Sequence, residues 1–221
     1  MPNFGPDGKR LAFTWSGNGM ALMDADGGNR EVLSADGWGA QFSPDGKWVA
    51  YQTYERTNNG RFANITLIDV VTKEKRVLLE GEPAEKYSQI FWNMEWSPDS
   101  RRICFKAGLL SGSSYEVAVT STEGSSRGFR VLTTETTDND FGWHPDGTCI
   151  LLGRHSPQHG GMRLFVCDPE TGGSELLESQ PLEMPNHSGV WSPDGRQIAF
   201  VSHKPPQPTP WLPASGKPEE P

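Results

Sequence analysis

The side chains best suited to acid, base or metal chemistry gather late in the chain, where all five histidines, His144, His155, His159, His187 and His203, lie. Grouped imidazoles invite a metal centre, but such a centre needs regularly spaced ligands and a convergent carboxylate or thiolate. His155 and His159 are four residues apart, yet Pro157, Gly160 and Gly161 around them exclude the helix that would put both rings on one side. We therefore expect no metal and no cofactor. Cys104, Cys149 and Cys167 form an odd set without metal-ligand spacing and read as free thiols. A serine nucleophile would call for Gly-x-Ser-x-Gly. The nearest stretch, Leu110-Ser-Gly-Ser-Ser114, is a polar segment between two strands and reads as a flexible turn. Phosphate-binding Gly-rich loops are also missing. The expectation is a protein without a catalytic residue of its own.

The aspartates carry a different message. Phe4-Gly-Pro-Asp7-Gly, Phe42-Ser-Pro-Asp45-Gly, Trp96-Ser-Pro-Asp99-Ser, Trp143-His-Pro-Asp146-Gly and Trp191-Ser-Pro-Asp194-Gly repeat one pattern, with Asp-to-Asp steps of 38, 54, 47 and 48 residues. Pro presets φ, Asp holds the turn through its carboxylate, and Gly supplies the left-handed residue that lets two strands re-pair. Asp7, Asp45, Asp99, Asp146 and Asp194 are thus turn residues rather than catalysts. Phe4, Phe42, Trp96, Trp143 and Trp191 are equivalent rings that pack between sheets. His144 replaces the Ser of the pattern, so a local turn hydrogen bond is its expected role. Ser100 replaces the Gly, so it must take a positive φ or use another turn.

Each turn feeds a strand with one alternation: Leu11/Phe13, Val49/Tyr51, Ile103/Phe105, Ile150/Leu152 and Ile198/Phe200 share one face, while Ala12, Ala50, Cys104, Leu151 and Ala199 lie on the other. Both faces are apolar and unequal in bulk, as a sheet sandwiched between two similar sheets requires. Second strands (Met20–Asp24, Ile65–Asp69, Tyr115–Thr120, Leu164–Asp168) and short third strands follow in the first four repeats. With the strand ahead of the turn, each repeat has four. A period of about 40–50 residues with four strands is that of a propeller blade. The fold class expected is all-β, a β-propeller of four-stranded antiparallel blades. The repeats fall near 2–38, 39–88, 89–137, 138–187 and 188–202, four full blades and a partial fifth. This is either part of a larger propeller or an open or thinly closed five-blade ring. Residues 203–221, with seven of the eighteen prolines, read as an extended, disordered tail.

Phe42-Ser-Pro-Asp-Gly-Lys-Trp-Val-Ala-Tyr51 and Trp191-Ser-Pro-Asp-Gly-Arg-Gln-Ile-Ala-Phe200 resemble the repeat of TolB-type, WD40-like propellers, and the resemblance runs to Ser202. It implies a protein or peptide interaction module that is exported to the periplasm. The same repeat type occurs beside the catalytic domains of prolyl-oligopeptidase-type hydrolases and in some lyases, so an accessory propeller of a larger enzyme is the alternative.

A net charge of −8 leaves no broad cationic field for nucleic acid or anionic membrane. The sequence as it stands shows no export signal, and it lacks the apolar run of about 18 residues that a membrane span requires. Packing demands sameness from blade to blade and recognition does not, so the residues just ahead of the innermost strands are the candidates for binding. Trp38, Trp92, Asn93, Asn139, Asp140 and His187 differ between repeats, and all should rim one end of the central channel. The long segment from Thr53 to Phe62 is a second candidate surface, or simply an extended hairpin loop.

Overall fold

The computed structural model describes residues 2–203 apart from Ser113 and Thr136, and omits the side chains of Thr57, Asp138 and Asn139. Five antiparallel sheets follow one another along the chain. Blade one holds β1 (Asn3–Phe4), β2 (Arg10–Trp15), β3 (Gly19–Asp24) and β4 (Glu31–Ser34). Blade two holds β5 (Trp38–Phe42), β6 (Trp48–Thr57), β7 (Gly60–Asp69) and β8 (Lys75–Val77). In blade three the inner strand is split into β9 (Tyr87–Ile90) and β10 (Glu95–Trp96), both paired with β11 (Arg102–Leu109), ahead of β12 (Tyr115–Ser121) and β13 (Phe129–Thr133). Blade four holds β14 (Thr137–Trp143), β15 (Ile150–Ser156), β16 (Gly161–Cys167) and β17 (Ser174–Leu176), and the partial blade five holds β18 (Asn186–Trp191) and β19 (Ile198–Ser202). The chain is thus an all-β propeller of four complete blades and half of a fifth. The segment 204–221 lies outside the described residues. Among the described residues no helix is long and apolar enough to cross a membrane.

The repeated turn explains why each inner hairpin closes where it does. In blade two the Gly46 amide donates to the Ser43 carbonyl at 2.9 Å, while Asp45 Oδ1 accepts from the Lys47 amide at 3.0 Å and the Ser43 hydroxyl at 2.6 Å. Asp7, Asp99, Asp146 and Asp194 each accept the amide two residues on in the same way. Ser100 does take the left-handed conformation, φ +61°, and its hydroxyl accepts the Asp45 amide of the preceding blade at 3.1 Å. The 54-residue step has two causes. The β6–β7 ladder runs unbroken from Trp48↔Asp69 to Thr57↔Gly60, so the 53–62 segment is strand and tight turn rather than loop. The inner strand of blade three also gains the extra piece β9.

The unequal faces interlock as bulky against small. Ala12 of blade one packs with Val49 and Tyr51 of blade two, Ala50 with Ile103 and Phe105 of blade three, and Cys104 with Ile150 and Leu152 of blade four. Each of these residues is at least 99% buried, so alternation along a single strand serves two interfaces at once. Trp96 and Trp143 add a polar link: their indole Nε1 groups donate to the carbonyls of Gln41 and Glu95 in the preceding blade at 3.2 and 3.1 Å.

Phe4 departs from the interblade packing expected of its ring: it is 60% exposed, because the bulky face of blade one has no blade before it among the described residues. Trp191 packs on His144 of blade four at 4.7 Å and is half-buried, part of it lining the channel. Ala199 and Val201 lie on the opposite face of blade five and are exposed, because no further blade covers that face among the described residues.

Candidate functional site

The inner strands β10, β14 and β18 line a concave channel of about 830 Å³. One end is ringed by the turn prolines Pro44, Pro98, Pro145 and Pro193, and the strand starts bring Asn93, Asp140 and Ser188 to the other. Glu95, Phe141 and Val190 lie between, with the edges of Trp96, Trp143 and Trp191. These rings therefore serve the interblade core and the channel wall together. Asn93 comes from the break between β9 and β10, and Glu95 opens β10.

Of the rim residues expected from sequence, Asn93 and Asp140 share this channel. Trp38 opens β5 and lies 6.4 Å, ring to ring, from Trp92, which occupies the break between β9 and β10 and is 39% exposed. The two indoles form an aromatic ledge, extended by Phe91 at 6.2 Å from Trp92. The approach depends on Gly39, whose φ is +78° and where a Cβ would lie 3.3 Å from Trp92 Cα. Gln41 reinforces it by donating to the Trp92 carbonyl at 3.3 Å. His187 is placed differently: its ring stacks on His203 at 4.7 Å, its Nδ1 is 2.9 Å from the Ser188 hydroxyl, and it does not line the channel. The backbone of Asn139 lies in β14, but its side chain is outside the described residues.

Two titratable groups near the inner strands depart from their ordinary values. Glu95 presents its carboxyl to the channel, where desolvation by the surrounding blades pushes it up to about 7. Water in the channel screens part of that penalty, since the side chain remains accessible. Asp146 is held down at about 2 by hydrogen bonds from the Thr148 hydroxyl and amide and by His144, whose Nδ1 lies 2.6 Å from its Oδ1. His144 thus caps its own turn, and its Nε2 reaches the Gly195 carbonyl of the next blade at 3.1 Å. Sequence reasoning singled out neither Glu95 nor Ser188. The available signal was position: the residue before each motif aromatic is Gln41, Glu95, Gly142 or Val190, unlike in every blade.

Amide, carboxyl and hydroxyl groups beside the edges of three tryptophans can hold a hydrogen-bonding ligand of moderate polarity. The class this defines is a channel-bearing β-propeller, and solved structures agree. TolB from Acinetobacter baumannii is similar over 93% of this chain and 46% of its own, at 20% identity and a TM-score of 0.57. Oligogalacturonate lyase from Vibrio parahaemolyticus is similar over 90% of this chain and 57% of its own, at 16% identity and a TM-score of 0.65. Acylaminoacyl peptidase from Pyrococcus horikoshii is similar over 91% of this chain and 34% of its own, at 18% identity and a TM-score of 0.56. At these identities the likeness establishes the TolB-like propeller fold. The chain spans less than two thirds of each of these structures. No family model matches the sequence, and no curated protein does.

Proposed function

We propose that this propeller is a non-catalytic interaction module that takes a protein segment or peptide at the Trp38–Trp92 end of its channel. The observation that carries the reading is that Trp92, its ring 6.4 Å from that of Trp38, immediately precedes Asn93, which lines a channel of about 830 Å³ together with Asp140 and Ser188; the indoles themselves lie beside that lining rather than in it. Exposed tryptophan beside oriented polar groups is the composition of an interface centre. The resemblance to TolB-type repeats supports the same reading and an exported, periplasmic location. A peptide selected from a displayed library against the protein should bind Trp92→Ala at least about tenfold more weakly, as loss of a central aromatic anchor does. Binding of all selected peptides unchanged in Trp92→Ala and Asp140→Asn, with the circular dichroism spectrum retained, would remove the rim as the site.

A second reading is favoured by the likeness to acylaminoacyl peptidase and oligogalacturonate lyase: an accessory propeller of a larger hydrolase or lyase. A hydrolase domain encoded in frame with this chain would decide for it.

A further inference from the structure

A second cleft, of about 630 Å³, opens on the outer side of blades three and four, away from the channel. Its walls are the turn at Asp99–Arg101, the connection from β12 to β13, and Pro169–Glu170 of blade four. Four arginines line it, Arg101, Arg102, Arg127 and Arg130, in a protein whose net charge is −8. Such a concentration runs against the charge of the whole molecule.

The four are not equivalent. Arg102 is committed to the fold: its Nη1 lies 2.6 Å from Glu170 Oε1, its Nη2 donates to the Gly147 carbonyl at 2.9 Å, and its guanidinium lies 4.6 Å from the Trp143 ring centre. Arg101, Arg127 and Arg130 are exposed and have no ion-pair partner among the described residues. The Arg130 stem lies against Gly172 of blade four, where a Cβ would come within 3.3 Å of Arg130 Cδ. That glycine has φ +76° and admits the close approach that keeps the guanidinium at the cleft edge.

The acidic groups are unequal too. Glu170 is neutralised by Arg102, and Asp99 accepts from the Ser97 hydroxyl at 2.5 Å and the Arg101 amide at 3.0 Å. Burial alone would raise the Asp99 carboxyl, yet those hydrogen bonds and the fields of Arg102 and Arg101 hold it below its ordinary value. Glu123 alone brings an uncommitted carboxylate to the cleft among the described residues. Val119 is buried on the blade-four face of the sheet, which it shares with its cross-strand partner Arg130, whereas Phe129, opposite Thr120, packs on the other face toward blade two.

The geometry points to a binding site for a small oxyanion carrying two or more charges, phosphate or carboxylate. Arg101, Arg127 and Arg130 would supply forked donors. Guanidinium suits these groups because its planar N–H pairs match two oxygens at once. The size also fits, since small-molecule sites run from about 300 to 1,000 Å³. A single negative charge would engage one fork only and bind weakly.

Calorimetric titration of the full chain with pyrophosphate, and separately with citrate, at fixed ionic strength tests this against acetate. The expected result is one saturable site for at least one polyanion, about tenfold or more tighter than acetate. The tighter of the two identifies the phosphate or the carboxylate source. Arg127→Gln with Arg130→Gln should weaken that binding about tenfold or more, and Arg127→Lys with Arg130→Lys should lose less. Glu123→Gln should tighten it, because the opposing carboxylate is gone. Both arginines are exposed, so the melting temperature should not move. No saturable binding of either polyanion at millimolar concentration, or equal binding in the double Gln variant, would overturn the assignment. Neither result bears on the channel, which these residues do not line.

Discussion

Placing leucine at the same repeat position in two blades separates interlocked interfaces from a merely periodic sequence. Ala50 is fully buried against Ile103 and Phe105, whereas Ala199, its counterpart in blade five, is exposed. Ala50→Leu forces three further carbons into a filled interface, and overpacking of this kind costs about 1–3 kcal/mol. For a domain of this size each kcal/mol moves the melting temperature by about 2–4 °C, so the expected fall is about 2–12 °C. Ala199→Leu meets open space and should stay within about 0.5 kcal/mol of the parent. Ala12→Leu should follow Ala50→Leu, because Ala12 is also fully buried, against Val49 and Tyr51. Thermal unfolding followed by circular dichroism reads all three variants. Equal losses at Ala50 and Ala199, or no loss at Ala50 and Ala12, would refute the bulky-on-small packing.

Ser100 holds a positive φ and accepts the Asp45 amide through its hydroxyl, so its two changes should diverge. Both Ser100→Ala and Ser100→Gly lose the hydrogen bond, but only glycine relieves the positive φ, so the alanine variant should lie about 1 kcal/mol below the glycine variant in urea unfolding. Glu95 links stability to pH. Its carboxyl is raised from the ordinary 4.5 to about 7, so between these values the folded state binds more protons than the unfolded. Stability is therefore lost as pH rises from about 4.5 through about 7, and Glu95→Gln should flatten melting temperature against pH across that window. A parent profile parallel to that of the variant would count against the desolvated carboxyl.

Most of the architecture was legible because it is local and repeated. The turn chemistry of Asp45 and its equivalents requires only residues within five positions, and the alternation of Val49, Ala50 and Tyr51 is visible in three consecutive letters. The site was legible only by position. Asn93 and Asp140 meet across blades whose relative placement no local pattern encodes, and His187 turns to His203, a partner set by where blade five ends its strand. The split inner strand of blade three was also hidden. Tyr87–Ile90 reads as connection until Ala107 and Gly108 of β11 are seen to pair with Ile90 and Gln89. The arginine cleft escaped for the opposite reason to the turns: Arg101 and Arg130 belong to segments that are remote in sequence and joined only by the width of a sheet.

The mismatch in bulk between the two faces of every sheet gives the assembly a direction. Among the described residues, Phe4 and Val32 face outward from blade one and Val190 and Val201 from blade five, and these two faces differ as plug and socket do. Two like ends brought together would leave either a clash or a void, so the row can grow only head to tail. A unit could be gained or lost at either end without redesigning the joints between those that remain, which makes repeat number a free variable in a way that the joint itself is not.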